Sequence, residues 1–136
     1  MKRIILICSF FLLSSATVFA QAPEEKASFL TNQMNTLLTL DAQQIEKIER
    51  INFRRFAIEE AVKEKLINTS RYQEGVATNF EGEKMQLFLA TINERRDNAE
   101  TRYDNGMKTI MTTSQYQIYL QNKSTLLQSV IQEFGE

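Results

Sequence analysis

Three observations on this 136-residue chain predict an all-α fold, built as a long antiparallel helical hairpin with shorter flanking helices. Apolar residues recur at three- and four-residue steps along four successive segments, as in helices that bury one side. A helix-start signal is written twice, at Leu40-Asp41-Ala42-Gln43-Gln44 and Met111-Thr112-Thr113-Ser114-Gln115. One proline and four glycines are all that interrupt the chain, and no alternating apolar pattern competes for a strand.

The first twenty residues stand apart. A basic start (Lys2, Arg3), an apolar run from Ile4 to Leu13 and a small-residue exit at Val18-Phe19-Ala20 read as a cleavable secretory signal, with cleavage expected after Ala20. The run is too short, and too soon followed by Ser14-Ser15, for a membrane span. Cys8 lies inside it, and Ile5-Leu6-Ile7 lacks the small residues of a lipoprotein signal, so lipidation is not expected. Removing residues 1–20 takes away the only cysteine together with Lys2 and Arg3. It leaves 14 basic against 17 acidic residues, a formal charge of −3. That balance lacks the broad basic field of a nucleic-acid binder. Without a cysteine, residues 21–136 must be held by packing alone, as a single domain. A thin helical hairpin of this length buries a modest core and invites dimerisation.

The first helix is expected over 24–38. Pro23 precedes Glu24-Glu25, acidic residues that suit the positive end of the macrodipole, and Ala27, Leu30, Met34 and Leu37 follow at helical spacing. The second is expected over 42–70, with Ile45, Ile48, Ile51, Phe56, Val62 and Leu66 on one side and no Gly or Pro inside. Tyr72 to Gly82 holds two of the four glycines and little periodicity, which places the main turn there. The third helix, 83–110, carries Met85, Phe88, Leu89, Ile92, Arg96, Ala99, Tyr103, Met107 and Ile110. The fourth, 113–134, carries Tyr116, Tyr119, Leu120, Leu126, Leu127, Val130, Ile131 and Phe134.

The second and fourth helices open on the repeated signal. In each copy a short oxygen-bearing side chain (Asp41, Thr112) accepts the free backbone N–H three residues on, and the glutamine there (Gln44, Gln115) reaches back to the cap amide. Leu40 with Ile45, and Met111 with Tyr116, supply the apolar clamp of a hydrophobic staple. Folding the second and third helices back around residue 77 sets Glu59-Glu60 opposite Arg95-Arg96, and Arg54-Arg55 opposite Asn98 to Glu100. Exposed pairs contribute about 0–1 kcal/mol each, so the match informs register more than stability.

Little here suggests chemistry. The chain has no histidine and, after residue 20, no cysteine, which removes the usual general base, thiol nucleophile and best transition-metal ligands. No catalytic residue, metal site or cofactor is expected, and the chain does not read as an enzyme. Glu46-Lys47-Ile48-Glu49 and Glu59-Glu60 read as solvated helix faces. Met34, Met85, Met107 and Met111 sit on or beside core stripes, where methionine fills gaps, although the same thioethers could be read as soft Cu(I) ligands. Two surface features remain. Arg50, Arg54, Arg55, Arg95, Arg96 and Arg102 could form a basic patch that steers acidic partners, or be neutralised by Glu59, Glu60, Glu94 and Glu100. Phe53 and Ile58 on the second helix, Leu87 on the third and Ile118 on the fourth fall off the main stripes. They read as dimer contacts, as a client-binding surface, or as incidental surface hydrophobes.

The doubled signal resembles the Leu-Thr-x-x-Gln motif of the Spy/CpxP-like periplasmic family. Met111 to Gln115 followed by Tyr116-Gln117-Ile118-Tyr119 is similar to that family's Leu-Thr-Pro-Glu-Gln-Tyr-x-x-Tyr form, with Met for Leu, while Asp41 stands where the family has Thr or Ser. The resemblance implies a periplasmic protein forming a curved antiparallel homodimer. Its implied function is an ATP-independent chaperone or envelope-stress accessory that binds unfolded or misfolded proteins through a mixed apolar and charged concave face. It also implies an alternative, ranked second, a regulatory module docking on the sensor domain of an envelope-stress signalling protein. A periplasmic metal-binding role, known among relatives of that broad superfamily, is the weaker third expectation. No nucleic acid and no membrane span after signal removal are expected.

Overall fold

The computed structural model describes residues 22–75 and 82–135, the side chains of residues 70–75, 82 and 83 excepted. The expected signal segment, residues 1–20, lies outside the described residues. Four α-helices follow in chain order: α1 (Pro23–Leu38), α2 (Ala42–Gly75), α3 (Gly82–Ile110) and α4 (Thr113–Phe134). No strand occurs among the described residues, so the fold is all-α.

Pro23 opens α1 at a position where its missing N–H is no loss, with Glu24 and Glu25 in the first turn. The helix ends at Thr39, a non-glycine residue in the left-handed region (φ 53°). Asn35 holds this end: its carbonyl accepts the Thr39 N–H at 2.9 Å and its side-chain Oδ1 accepts the Leu40 N–H at 3.0 Å. The chain then turns into α2 within three residues.

α2 runs to Gly75, beyond the expected end at 70, so the start of the turn read over Tyr72 to Gly82 is helical. Nothing between Arg71 and Glu74 breaks a helix, and the first residue that does is Gly75. Residues 76–81 lie outside the described residues. α2 and α3 pack antiparallel: Asn52 meets Tyr103, Arg55 meets Glu100, and Ile51 meets Gly106. This register agrees with a fold-back near residue 77. Gly106 permits a close approach, since a Cβ there would stand 2.7 Å from the Ile51 Cδ1.

α1 packs chiefly on α2, α4 on α1, and α3 barely touches α4. The core lies between them and takes Leu30 and Met34 from α1, Ile48 and Phe56 from α2, Tyr103 and Met107 from α3, and Tyr119, Leu126 and Val130 from α4. Leu40 and Met111, the staple residues, are buried in the same core. Phe29 and Phe134 pack edge to face, with ring centres 5.5 Å apart, where α1 and α4 meet. Val62 and Ile92 are buried between α2 and α3 but fall outside this cluster.

Several stripe positions differ from expectation. Leu38 is buried and Leu37 exposed, and Leu89, Leu120 and Ile131 are exposed as well, as is Arg96. The cause is partner number. A helix with one principal neighbour buries a narrow arc, so α4 hides Tyr119, Leu126 and Val130 while the apolar residues flanking them stay in water. The other surprise is Asn52, which is fully buried. Its Nδ2 donates to Thr31 Oγ1 at 2.9 Å, its Oδ1 accepts from the Tyr103 hydroxyl at 2.8 Å, and the Thr31 hydroxyl donates to the Ala27 carbonyl at 2.8 Å. Each polar group in that chain is therefore satisfied, as burial requires. Met34 Sδ lies 3.6 Å from Asn52 Nδ2, and Met34, Met107 and Met111 are all buried core residues, while Met85 is half-buried.

A candidate binding groove between α2 and α3

Both capping boxes form. Asp41 Oδ1 accepts the Gln44 N–H at 2.8 Å while Gln44 Oε1 accepts the Asp41 N–H at 3.0 Å. Thr112 Oγ1 and Gln115 Oε1 do the same for each other's backbone at 3.2 and 3.0 Å. The two boxes also meet in space. Gln44 Nε2 donates to Gln115 Oε1 at 2.8 Å and Gln115 Nε2 donates back to Gln44 Oε1 at 3.3 Å. Each amide further donates to the end of the opposite preceding helix, Gln44 to the Ile110 carbonyl at 3.1 Å and Gln115 to the Leu38 carbonyl at 3.3 Å. The repeated motif thus ties the α1–α2 corner to the α3–α4 corner. Asp41, Thr112, Gln44 and Gln115 are structural residues in this arrangement.

A charged cluster joins three helices further along. Arg55 on α2 pairs with Glu100 on α3 at 2.7 Å and with Glu59 at 3.3 Å, and Lys123 on α4 pairs with Glu100 and with Asp104 at 2.6 Å. The Arg55 guanidinium also sits 4.6 Å from the centre of the Tyr103 ring. Burial alone would raise the Glu100 carboxyl, but the Lys123 hydrogen bond and the Arg55 charge outweigh it and hold the group below its ordinary range. Burial works against the charged forms of Arg55 and Lys123, yet their carboxylate partners raise both. Burial also pushes the Tyr103 and Tyr119 hydroxyls well above the usual tyrosine value.

This cluster divides the basic residues that the sequence groups together. Arg55 is committed to carboxylates. Arg50 pairs with Glu46 on the exposed side of its own helix. Arg96 turns toward a small cleft that it shares with Glu59 and Glu100. Arg54, Arg95 and Arg102 border a groove of about 490 Å³ between α2 and α3, which the ion-paired Arg55 also lines. Its floor is apolar, made by Ile51, Ile58, Val62, Ile92 and Ala99 with Tyr103 at one end, and Lys65 joins the arginines at its border. Among the described residues no aspartate or glutamate lines it. Arg54, Arg95, Arg102 and Lys65 make no ion pair among the described residues. The pattern is legible afterwards: Arg54, Ile58 and Lys65 share one side of α2, and Arg95 and Arg102, seven residues apart, share one side of α3.

The four off-stripe apolar residues are all exposed, at 38% for Phe53, 40% for Ile58, 69% for Leu87 and 37% for Ile118. They do not form one patch. Ile58 alone lines the groove; Phe53 stands five residues earlier, about 140° around α2 at 100° per residue. Sequence reasoning missed Asn52, Lys65, and the meeting of Gln44 with Gln115. A polar residue four positions after Ile48 and four before Phe56 was the available signal for Asn52.

Among the described residues no helix is long and apolar enough to cross a membrane, and no three His, Cys, Asp or Glu side chains gather as a metal site would require. What the groove offers is a row of unneutralised cations beside apolar surface, an arrangement that attracts groups carrying both negative charge and an apolar body. No curated protein and no solved structure matches the chain. Residues 15–119, most of its length, match the family model described as a domain of unknown function, DUF4890. The chain therefore belongs to the DUF4890 family.

Proposed function

We propose that this protein is an exported, ATP-independent holdase, an envelope-stress chaperone that binds unfolded or misfolded proteins in the periplasm. The observation that carries the reading is the groove between α2 and α3, where Arg54, Arg95, Arg102 and Lys65 border apolar surface with no carboxylate among the described lining residues. Non-native chains expose apolar segments interrupted by charge, and such a face holds them by weak contacts of both kinds. Exposed Phe53, Leu87 and Ile118 offer separate apolar contacts outside the groove. The doubled capping motif and its resemblance to Spy/CpxP-like proteins support the same reading, and residues 1–20 supply the export signal in it. In the homodimer that the resemblance implies, the subunits meet on another face. An isologous contact across the groove would set the same cations against themselves.

The test is light scattering from several unrelated aggregating proteins, without ATP, at low and high salt. Broad suppression near equimolar protein is expected. It should weaken in salt and in an Arg54→Gln/Arg95→Gln/Arg102→Gln variant, because exposed charges are screened over about 8 Å at physiological ionic strength. No suppression of any client would overturn the reading and favour the alternative, a regulatory module that docks on a single sensor domain.

A further inference from the structure

The groove also has the dimensions and polarity of a site for one small molecule, which the holdase reading does not require. Its volume, about 490 Å³, falls in the range of about 300–1,000 Å³ occupied by single-ligand sites, which are apolar with a few placed polar groups. Its apolar floor runs along α2 from Ile51 to Val62, roughly 16 Å at 1.5 Å per helical residue. An elongated apolar floor of that length suits an extended alkyl chain. Arg54, Arg95 and Arg102 offer guanidinium groups on both walls, free of carboxylate partners among the described residues. Planar guanidinium forks match carboxylate and phosphate oxygens.

Other occupants fit less well. A second copy seated symmetrically here would oppose like charges. The apolar N-terminal segment of this chain, residues 1–20, carries Lys2 and Arg3 and no acidic residue, so it brings the wrong sign. A neutral apolar ligand leaves the cations unused. We infer that the groove between α2 and α3 binds a free single-chain anionic amphiphile, of the long-chain carboxylate class, with the chain on Ile58, Val62 and Ile92 and the head on Arg54, Arg95 or Arg102.

Isothermal titration of the purified protein with sodium decanoate, dodecanoate and tetradecanoate, each below its micelle concentration, tests this directly. One molecule should bind per chain, and affinity should rise about fourfold per added methylene, as burial of each CH₂ requires, until the floor is filled. Alkyltrimethylammonium and alkyl glucoside of matched chain length should bind at least tenfold more weakly. The R54Q/R95Q/R102Q variant, altered only at side chains on the groove border, should lose that preference for the anionic head while its circular dichroism is unchanged. An Arg50→Gln variant, outside the groove, should keep it. Absence of binding overturns the inference. So does equal binding of cationic and neutral amphiphiles, several equivalents per chain, or an acidic peptide of matched charge binding as tightly as the carboxylates. The head-group series on the unaltered protein decides the matter even where the triple variant fails to fold. Failure of the holdase test leaves this measurement independent, since it involves no client protein.

Discussion

Replacing Gln44 by alanine probes the tie between the two helix corners. Its side chain accepts the Asp41 N–H at 3.0 Å and donates to the Ile110 carbonyl at 3.1 Å and to Gln115 at 2.8 Å, with the return bond from Gln115 at 3.3 Å. At about 0.5–1.5 kcal/mol net per bond, and with the amide partly exposed, the expected loss is about 2–3 kcal/mol. Gln115→Ala should cost about 2 kcal/mol for the same reasons. The two mutual bonds are lost in either single variant, so the double variant should fall short of the sum by about 1–2 kcal/mol. Urea unfolding followed by circular dichroism at several temperatures reads these values, and in melting temperature each kcal/mol is about 4 °C for a domain of this size. Asp41→Ala, which removes one cap acceptor, is the control at about 1 kcal/mol. Gln44→Glu separates the two roles: it can still accept the Asp41 N–H but cannot donate to Ile110 or Gln115. A capping box alone predicts that this change is nearly neutral, whereas the tie predicts a loss larger than that of Asp41→Ala. Additivity of the glutamine variants within about 0.5 kcal/mol, or a neutral Gln44→Glu, would refute the tie.

Other expectations follow from the same structure. Asn52→Leu should destabilise by about 2–3 kcal/mol, because the Tyr103 hydroxyl loses its acceptor in a buried site; restoring stability with Tyr103→Phe in that background checks the cause, and no rescue would deny it. Stability should fall on both sides of neutral pH. The Glu100 carboxyl titrates below its ordinary range in the folded protein, so its contribution is present above about pH 4.3 and lost as pH falls through the folded value. Lys123 and the buried Tyr103 and Tyr119 titrate above theirs, so their contribution is complete below about pH 10 and lost as pH rises through the raised values. Urea midpoints against pH should show a flatter acid limb in Glu100→Gln, and an unchanged limb would remove Glu100 from the account. Gly106→Ala should gain up to about 1 kcal/mol of helix propensity and lose most of it against the Ile51 Cδ1. Ile51→Val should therefore cost less in the Gly106→Ala background than in the unaltered protein; equal costs would show that the contact does not restrain α3.

The sequence by itself determined where the helices start and which broad side of each is apolar. Helix initiation at Asp41 and Thr112 depends on groups within three residues of one another, so local chemistry decided it. The antiparallel register was legible from charge order, and Arg55 does meet Glu100. Tertiary structure decided the rest. Periodicity gives angles around one helix but not how wide an arc its neighbours cover, which is why Leu38 is buried and Leu37 is not. It could not reveal that Asn52, a polar residue, belongs to the core, because the partners that satisfy it, Thr31 and Tyr103, come from other helices. It grouped six arginines that packing separates. Whether an arginine is neutralised depends on which carboxylate the neighbouring helix presents, so Arg55 became part of an ion-pair cluster while Arg54, Arg95 and Arg102 were left facing an apolar groove. The two glutamines, 71 residues apart in the chain, touch only because two hairpin corners pack against each other.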